Sequence, residues 1–113
     1  QGSFDENTRT LITGQYGFGG WEYPDGLNLS SFSKITVELG NNNDSAVSFR
    51  IFDKTSYWSD PAMYDFGNSR KIIVNLHDMK DKNGAKIDPS HLYIIGFWSY
   101  GNKPIVIDKI TLE

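Results

Sequence analysis

Three tryptophans stand among small and polar residues and not inside aliphatic runs. Trp21 follows two glycines and lies two positions before Tyr23. Trp58 follows Tyr57, and Trp98 precedes a serine. Rings in such settings are typical of loops and strand ends that offer an aromatic face to a ligand. The C–H face of a pyranose stacks on such a ring while its hydroxyl groups bond to polar neighbours, so these residues predict carbohydrate binding.

Length and composition indicate one folded domain over residues 1–113. Hydrophobic residues make up 38% of the chain and charged residues 22%, which is enough apolar material for a single core. Aromatic residues make up 14%, more than such a core requires, so some rings should be exposed.

Charge and cysteine content exclude several other classes. The net charge is −3 and the basic residues are scattered, which argues against nucleic acid as a partner. The chain has no cysteine, which excludes disulfides and thiolate metal sites. No apolar run approaches the ~20 residues that a membrane-spanning helix needs, so no membrane partner is expected.

Short β-rich segments bounded by turn residues predict seven or eight strands and little helix. Residues 53–68, interrupted by Pro61 and Gly67, are expected to form a long loop or an irregular strand, and residues 77–83 one helical turn. This pattern predicts an all-β fold, a β-sandwich of two antiparallel sheets. The predicted strands span residues 8–13, 18–23, 34–39, 47–52, 71–76, 92–100 and 104–112.

Alternation along two of these strands assigns side chains to faces. In 47–52 it turns Arg50 outward, opposite the apolar positions. In 92–100 we expect Gly96 and Trp98 to face outward, with Gly96 leaving room for a sugar ring and Trp98 stacking beyond it. One misplaced bulge would reverse this assignment.

The remaining site residues complete a predicted cleft. Arg50 would donate to sugar oxygens through its guanidinium, while Asp53 and Gln15 would bond to hydroxyl groups. Trp21 and Trp58 would form the walls. Tyr16, Phe18, Tyr64 and Phe66 are expected to be structural. The full predicted ligand-binding set is Gln15, Trp21, Tyr23, Arg50, Asp53, Tyr57, Trp58, Trp98 and Tyr100.

The chain from Gly14 to Glu113 resembles the carbohydrate-binding modules of bacterial plant-polysaccharide hydrolases. The most specific segments are Gly-Gly-Trp at 19–21 and Phe-Trp-Ser-Tyr at 97–100. Looser matches occur at 25–32 leading into 35–39, at 49–53, at 73–76 and at 105–112. The resemblance implies a galactose-binding-like β-sandwich or jelly roll without catalytic activity.

The resemblance also implies a ligand and a setting. The ligand would be a β-1,4-linked plant polysaccharide such as cellulose, mixed-linkage β-glucan or xyloglucan, with xylan and mannan as neighbouring candidates. The module would be a monomer, would be secreted as part of a larger glycoside hydrolase, and would hold that enzyme on its substrate. Gln1-Gly2-Ser3 resembles an excised boundary. Stacking and neutral hydrogen bonds would make binding weak and insensitive to salt.

A calcium ion is the one cofactor that the resemblance raises. Many relatives hold a structural calcium between an N-terminal acidic residue and a carboxylate near the last strand. Asp5 or Glu6 together with Asp108 are the matching residues here. A solvated N-terminal arm is the reading we favour, so no cofactor is predicted.

Two other function classes compete with carbohydrate binding. Glycoside hydrolysis uses two carboxylates at a defined separation. Asp53, Asp60 and Asp65 share one segment, but the sequence does not fix their separation, and His77 and His91 lie in turn contexts that suit surface or capping roles. We therefore predict that the protein is not an enzyme. The second competitor is a protein-interaction or adhesive β-sandwich that uses the same aromatic residues as an interface.

Overall fold

The computed structural model describes residues 2–14, 16–41, 43, 46–53 and 60–113. Within these residues the chain forms nine strands and one short 3-10 turn, Tyr100–Asn102, and no α-helix. The prediction of an all-β fold is therefore confirmed. The strands are β1 (Ser3–Asp5), β2 (Thr10–Ile12), β3 (Phe18–Leu27), β4 (Lys34–Leu39), β5 (Val47–Asp53), β6 (Ala62–Asp65), β7 (Lys71–Asn75), β8 (Leu92–Ser99) and β9 (Ile105–Leu112).

The strands form two antiparallel sheets packed face to face. The five-stranded sheet has the order β1-β2-β9-β4-β7, and the four-stranded sheet has the order β3-β8-β5-β6. From β2 to β5 each successive strand changes sheet, and so do the strands from β6 to β9. This order is that of a jelly roll with β1 added at one edge, and the predicted β-sandwich is confirmed.

The main core lies between the sheets and follows the alternation of the strands. On β5 the residues Val47, Phe49 and Ile51 are buried in this core. Phe49 packs against Phe97 of β8, with ring centroids 5.1 Å apart. Arg50, between two core positions, must therefore point away from the five-stranded sheet. This face of the four-stranded sheet is called the outer face below.

Three local predictions differ from the structure. The short strand β1 was not predicted, and β6 lies within residues 53–68, which were expected to form a long loop or an irregular strand. Each is too short to show a periodic pattern; β1 pairs with β2, and β6 pairs with β5. The predicted helical turn at 77–83 is wrong. There the chain forms a turn in which the Asp81 carboxylate accepts from the backbone N–H groups of Asn83 and Ala85.

In the described part of the chain, no helix has the length and hydropathy that crossing a membrane requires.

Candidate functional site

Three of the predicted residues come together on the outer face of the four-stranded sheet. The guanidinium carbon of Arg50 lies 4.8 Å from the centroid of the Trp98 ring. Tyr100 meets the same tryptophan edge to face, with centroids 4.2 Å apart. We call Arg50, Trp98 and Tyr100 the outer-face cluster. Tyr100 is 60% exposed, whereas Trp98 and Arg50 are half-buried.

The strand register explains why these side chains meet. Arg50 lies opposite Gly96 on β8, and Ser48 lies opposite Trp98. The predicted outward orientation of Arg50 and Trp98 is thus confirmed. The prediction for the start of β8 is wrong: Leu92 lies in the main core, while Tyr93 packs against the outer-face residues. An irregularity in pairing next to Phe52 and Asp53 shifts the alternation there.

Two hydrogen bonds fix the orientation of the cluster. The Trp98 Nε1–H donates to the carbonyl oxygen of Tyr16, at 2.8 Å. Gly17 permits this approach: its φ is +83°, and a Cβ there would lie 2.6 Å from the Ser99 carbonyl oxygen. The Arg50 Nε–H donates to the Ser48 hydroxyl, at 3.0 Å. The ring and the guanidinium are therefore held in place before any ligand binds.

The pKa of Arg50 is influenced by burial and by a nearby acidic residue. Burial lowers the pKa of the Arg50 guanidinium, while the negative charge of Asp65 and that of an ionised Tyr100 raise it. Asp65 lies opposite Ser48 on β6 and is exposed. Since a guanidinium titrates far above neutral pH, Arg50 carries its full charge under ordinary conditions.

The space above Gly96 is filled by the protein, which corrects the prediction that this glycine accommodates a sugar ring. A Cβ on Gly96 would overlap Cζ of Phe18 and lie 2.6 Å from the Gly19 carbonyl oxygen. Phe18 belongs to a second apolar cluster with Phe52 and Ile94, all of them buried on the outer face. Trp98 packs against this cluster. A ligand at the outer-face cluster would therefore lie beside these residues, against the exposed ring of Tyr100.

Trp21 and Tyr23 lie on the opposite face of the same sheet, away from the outer-face cluster. Both pack against the main core, and Phe4 meets Trp21 edge to face at 5.6 Å. The prediction that Trp21 shares one cleft with Trp98 is not supported, because β3 and β8 present these tryptophans on opposite faces. The strand register explains this separation. Trp21 lies opposite Ile95, a main-core residue, whereas Trp98 lies opposite Phe18, which belongs to the outer face.

Trp21 and Tyr23 instead line an apolar groove of about 440 Å³ between the two sheets, which we call the edge groove. It is open because β2 pairs with β9 only at Ile105 and Val106. Ile110 and Leu112 lie beyond that pairing and remain exposed although they face inward. The groove is lined by Trp21, Tyr23, Leu27, Leu29, Ile35, Ile95, Ile110 and Leu112.

Asp53 has a structural position. Its side chain is only 2% exposed, and its Oδ2 accepts a hydrogen bond from the backbone N–H of Asp88 at 3.0 Å. This bond joins the end of β5 to the segment that precedes β8. A carboxylate buried in this way is not presented to a ligand on the surface, contrary to the predicted role of Asp53. The predicted residues Gln15, Tyr57 and Trp58 lie outside the described residues.

Two of the three residues considered for calcium, Asp5 and Asp108, are engaged elsewhere. Asp108 forms an ion pair with Arg9 at 2.9 Å, and Oδ1 of Asp5 accepts from the backbone N–H of Asn7 at the same distance. Among the described residues, no group of three or more histidine and acidic side chains is placed to hold a metal ion. The geometry gives no support to a calcium site at these positions.

The two histidines have the surface roles expected from their turn contexts. His77 Nε2 lies 2.9 Å from the carbonyl oxygen of Phe32. His91 Nδ1 lies 3.0 Å from the hydroxyl of Ser90, which in turn donates to Asp88. Each imidazole ring thus lies within hydrogen-bond distance of a residue in an adjacent turn or loop.

Sequence reasoning missed Tyr16 as a surface residue. It was expected to be structural, yet its side chain is 73% exposed next to the backbone position that anchors Trp98. Met63, also exposed, lies opposite Arg50 on β6 and adds apolar surface to the outer face. Phe18 and Phe66 are buried and Tyr64 is half-buried against the core, as predicted. The sequence signal available for Tyr16 was its position directly before Gly17, a residue type that favours turns.

Comparisons of the chain with protein families, with curated proteins and with solved structures gave no match.

Proposed function

We propose that this protein is a non-catalytic carbohydrate-binding module whose binding surface is the outer-face cluster. The observation that carries the proposal is the Arg50–Trp98–Tyr100 arrangement on the face of a rigid sheet. An exposed tyrosine ring offers stacking area, and a fixed guanidinium offers directional donors beside it. These are the two contacts that a pyranose requires: an apolar face and hydrogen-bonding groups for its hydroxyls.

Prior ordering of the cluster favours binding. Trp98 is anchored to Tyr16 and Arg50 to Ser48, so little side-chain freedom is lost when a sugar arrives. A stacked ring contributes about 1 kcal/mol, judged from aromatic pairs. Two or three such contacts, less the cost of ordering a flexible chain, give a Kd in the micromolar range or weaker. Affinity of this size suits a module that raises the local concentration of substrate for a tethered enzyme.

The sequence resemblance favours β-1,4-linked plant polysaccharides as ligands and a secreted glycoside hydrolase as the attached enzyme. The edge groove is a poorer sugar site, because its lining is apolar apart from the Trp21 N–H and the Tyr23 hydroxyl.

Affinity gel electrophoresis tests the proposal. The gels would contain cellulose-derived polymer, mixed-linkage β-glucan, xyloglucan, glucomannan, xylan, or dextran as an uncharged control. We expect retardation in at least one β-1,4-linked polymer and none in dextran. Tyr100→Ala should remove most of the retardation without unfolding the protein, because this side chain is largely exposed.

Ile73→Ala is the matched control, since Ile73 is 58% exposed and lies on the five-stranded sheet. It should migrate as the wild type does. Absence of retardation in every β-1,4-linked polymer would refute the proposal and leave the outer-face cluster as a protein interface. Equal retardation of the Tyr100→Ala variant and the wild type would move the binding surface elsewhere.

A further inference from the structure

Arg50 has an incomplete set of partners. Its Nε–H is bonded to Ser48, but its two Nη groups have no hydrogen-bond acceptor among the described residues. The ion pairs formed within the described residues are Arg9–Asp108, Lys34–Glu113, Lys82–Asp60 and His91–Asp88, and none involves Arg50. Asp65 influences Arg50 only from beyond ion-pair distance. Within the part of the chain that the structure describes, the fork of Nη donors therefore has no acceptor.

The position of this charge makes an external anion favourable. A half-buried cation has given up part of its hydration. The two groups in direct contact with it, the Ser48 hydroxyl and the Trp98 ring, are neutral, and the Asp65 carboxylate acts on it only from beyond ion-pair distance. Burial also acts to lower the pKa of Arg50, which reflects this desolvation. A ligand carboxylate would add a counter-charge in direct contact, as a bidentate pair, a geometry that suits the guanidinium fork.

The rest of the molecule does not attract anions in general. The chain has a net charge of −3, and Asp65 lies near Arg50. A polyanion would thus gain from one defined contact and not from a basic surface. Recognition of this kind would select a carboxylate at one position on an otherwise neutral or sparsely charged chain.

We propose that the outer-face cluster binds a uronate residue of an acidic plant polysaccharide, with the uronate carboxylate on the Arg50 Nη groups and the sugar ring on Tyr100. This rests on the proposed carbohydrate-binding function and narrows its ligand. Xylan that carries glucuronate branches has both the β-1,4-linked backbone and the required carboxylate. Arg50 then sets ligand specificity, and Trp98 holds the guanidinium in position.

The decisive experiment compares one polymer in two chemical forms. Isothermal titration calorimetry would measure wild-type binding to glucuronoxylan and to the same polymer after reduction of its carboxyl groups to alcohols. We expect about tenfold or greater loss of affinity on reduction, because a hydrogen bond to a charged group contributes about 1.5–3 kcal/mol. Binding to the acidic form should also weaken as salt rises, whereas binding to the reduced form should not change.

Variants of Arg50 test whether this residue is responsible for the preference for the acidic polymer. Arg50→Gln should bind the acidic and the reduced polymer equally, and Arg50→Lys should keep only part of the difference, since lysine retains the charge without the fork. Arg70→Gln, which removes an exposed cation outside the cluster, should behave as the wild type does. Near-ultraviolet circular dichroism would check that the Trp98 environment is retained.

The outcomes separate the two proposals. Equal wild-type affinity for both polymer forms, with loss of binding in Tyr100→Ala, would overturn the uronate proposal and leave carbohydrate binding standing. Absence of binding to either form, and to every neutral polymer named above, would overturn both. The comparison of the two polymer forms uses only the wild-type protein, so it does not depend on the folding of any variant.

Discussion

Replacing Gly96 with alanine tests whether the outer face above β8 is filled by the protein or open to a ligand. The added Cβ would overlap the tip of the Phe18 ring and lie 2.6 Å from the Gly19 carbonyl oxygen, whereas ordinary contact begins at 3.4 Å. Phe18 can rotate away, but the carbonyl belongs to β3 and would have to retreat by about 0.8 Å. That movement strains the pairing of β3 with β8, where Gly20 lies opposite Gly96.

Overpacking of this kind costs about 1–3 kcal/mol of unfolding free energy. For a domain of this length the corresponding decrease in Tm is roughly 3–15 °C. Differential scanning calorimetry and urea unfolding would measure both quantities. Gly19→Ala is the matched control, because its Cβ would meet only side-chain atoms of Leu11, at 3.1–3.3 Å, and a flexible side chain can yield. Its cost should stay below about 1 kcal/mol.

The same variant separates two accounts of the surface. If Phe18 covers Gly96, Gly96→Ala loses stability while its affinity for polysaccharide changes little. If the space is an open sugar subsite, stability is retained and affinity falls. A Gly96→Ala protein as stable as the wild type would therefore refute the packing argument. The refutation would be clearest if Gly19→Ala had the lower free energy of unfolding of the two variants.

Two further predictions concern the segment that leads into β8. Asp53→Ala should lower the free energy of unfolding in urea by about 1–3 kcal/mol, because the Asp88 N–H loses this acceptor. Asp53→Asn keeps a side-chain oxygen and should lower it less. Equal urea midpoints for the wild type and both variants would contradict this role of Asp53. Hydrogen bonds from the Ser90 hydroxyl and then from its backbone N–H hold the pKa of Asp88 below its usual value of 3.8. The stabilisation from this carboxylate is thus present above about pH 4 and lost as the pH falls through the lower, folded-state pKa. Asp88→Asn should flatten the acid limb of a plot of unfolding free energy against pH, and coincident wild-type and variant curves would exclude the effect.

Alternation in the sequence was sufficient to predict the sandwich and the orientation of several side chains. Val47, Phe49 and Ile51 share one face because successive side chains of a strand point to opposite sides, so Arg50 had to point outward. The prediction failed where pairing departs from regularity. At Phe52 and Asp53 the register with β8 shifts, and Leu92 and Tyr93 exchange faces relative to a regular strand.

Only the tertiary structure decided which aromatic residues share a site. Trp21 and Trp98 have similar polar neighbours in the sequence, yet one lines the edge groove and the other the outer-face cluster. Local composition reports that a ring is not within an aliphatic run, but not which side of a sheet it occupies or what lies above it. Phe18 covers Gly96, and the segment at Asp88 reaches Asp53, through contacts between residues far apart in the chain. The sequence by itself determined the longer strands, and their faces where the pairing is regular, because those depend on neighbours along the chain. The pairing of distant strands determined which faces stay open to a ligand.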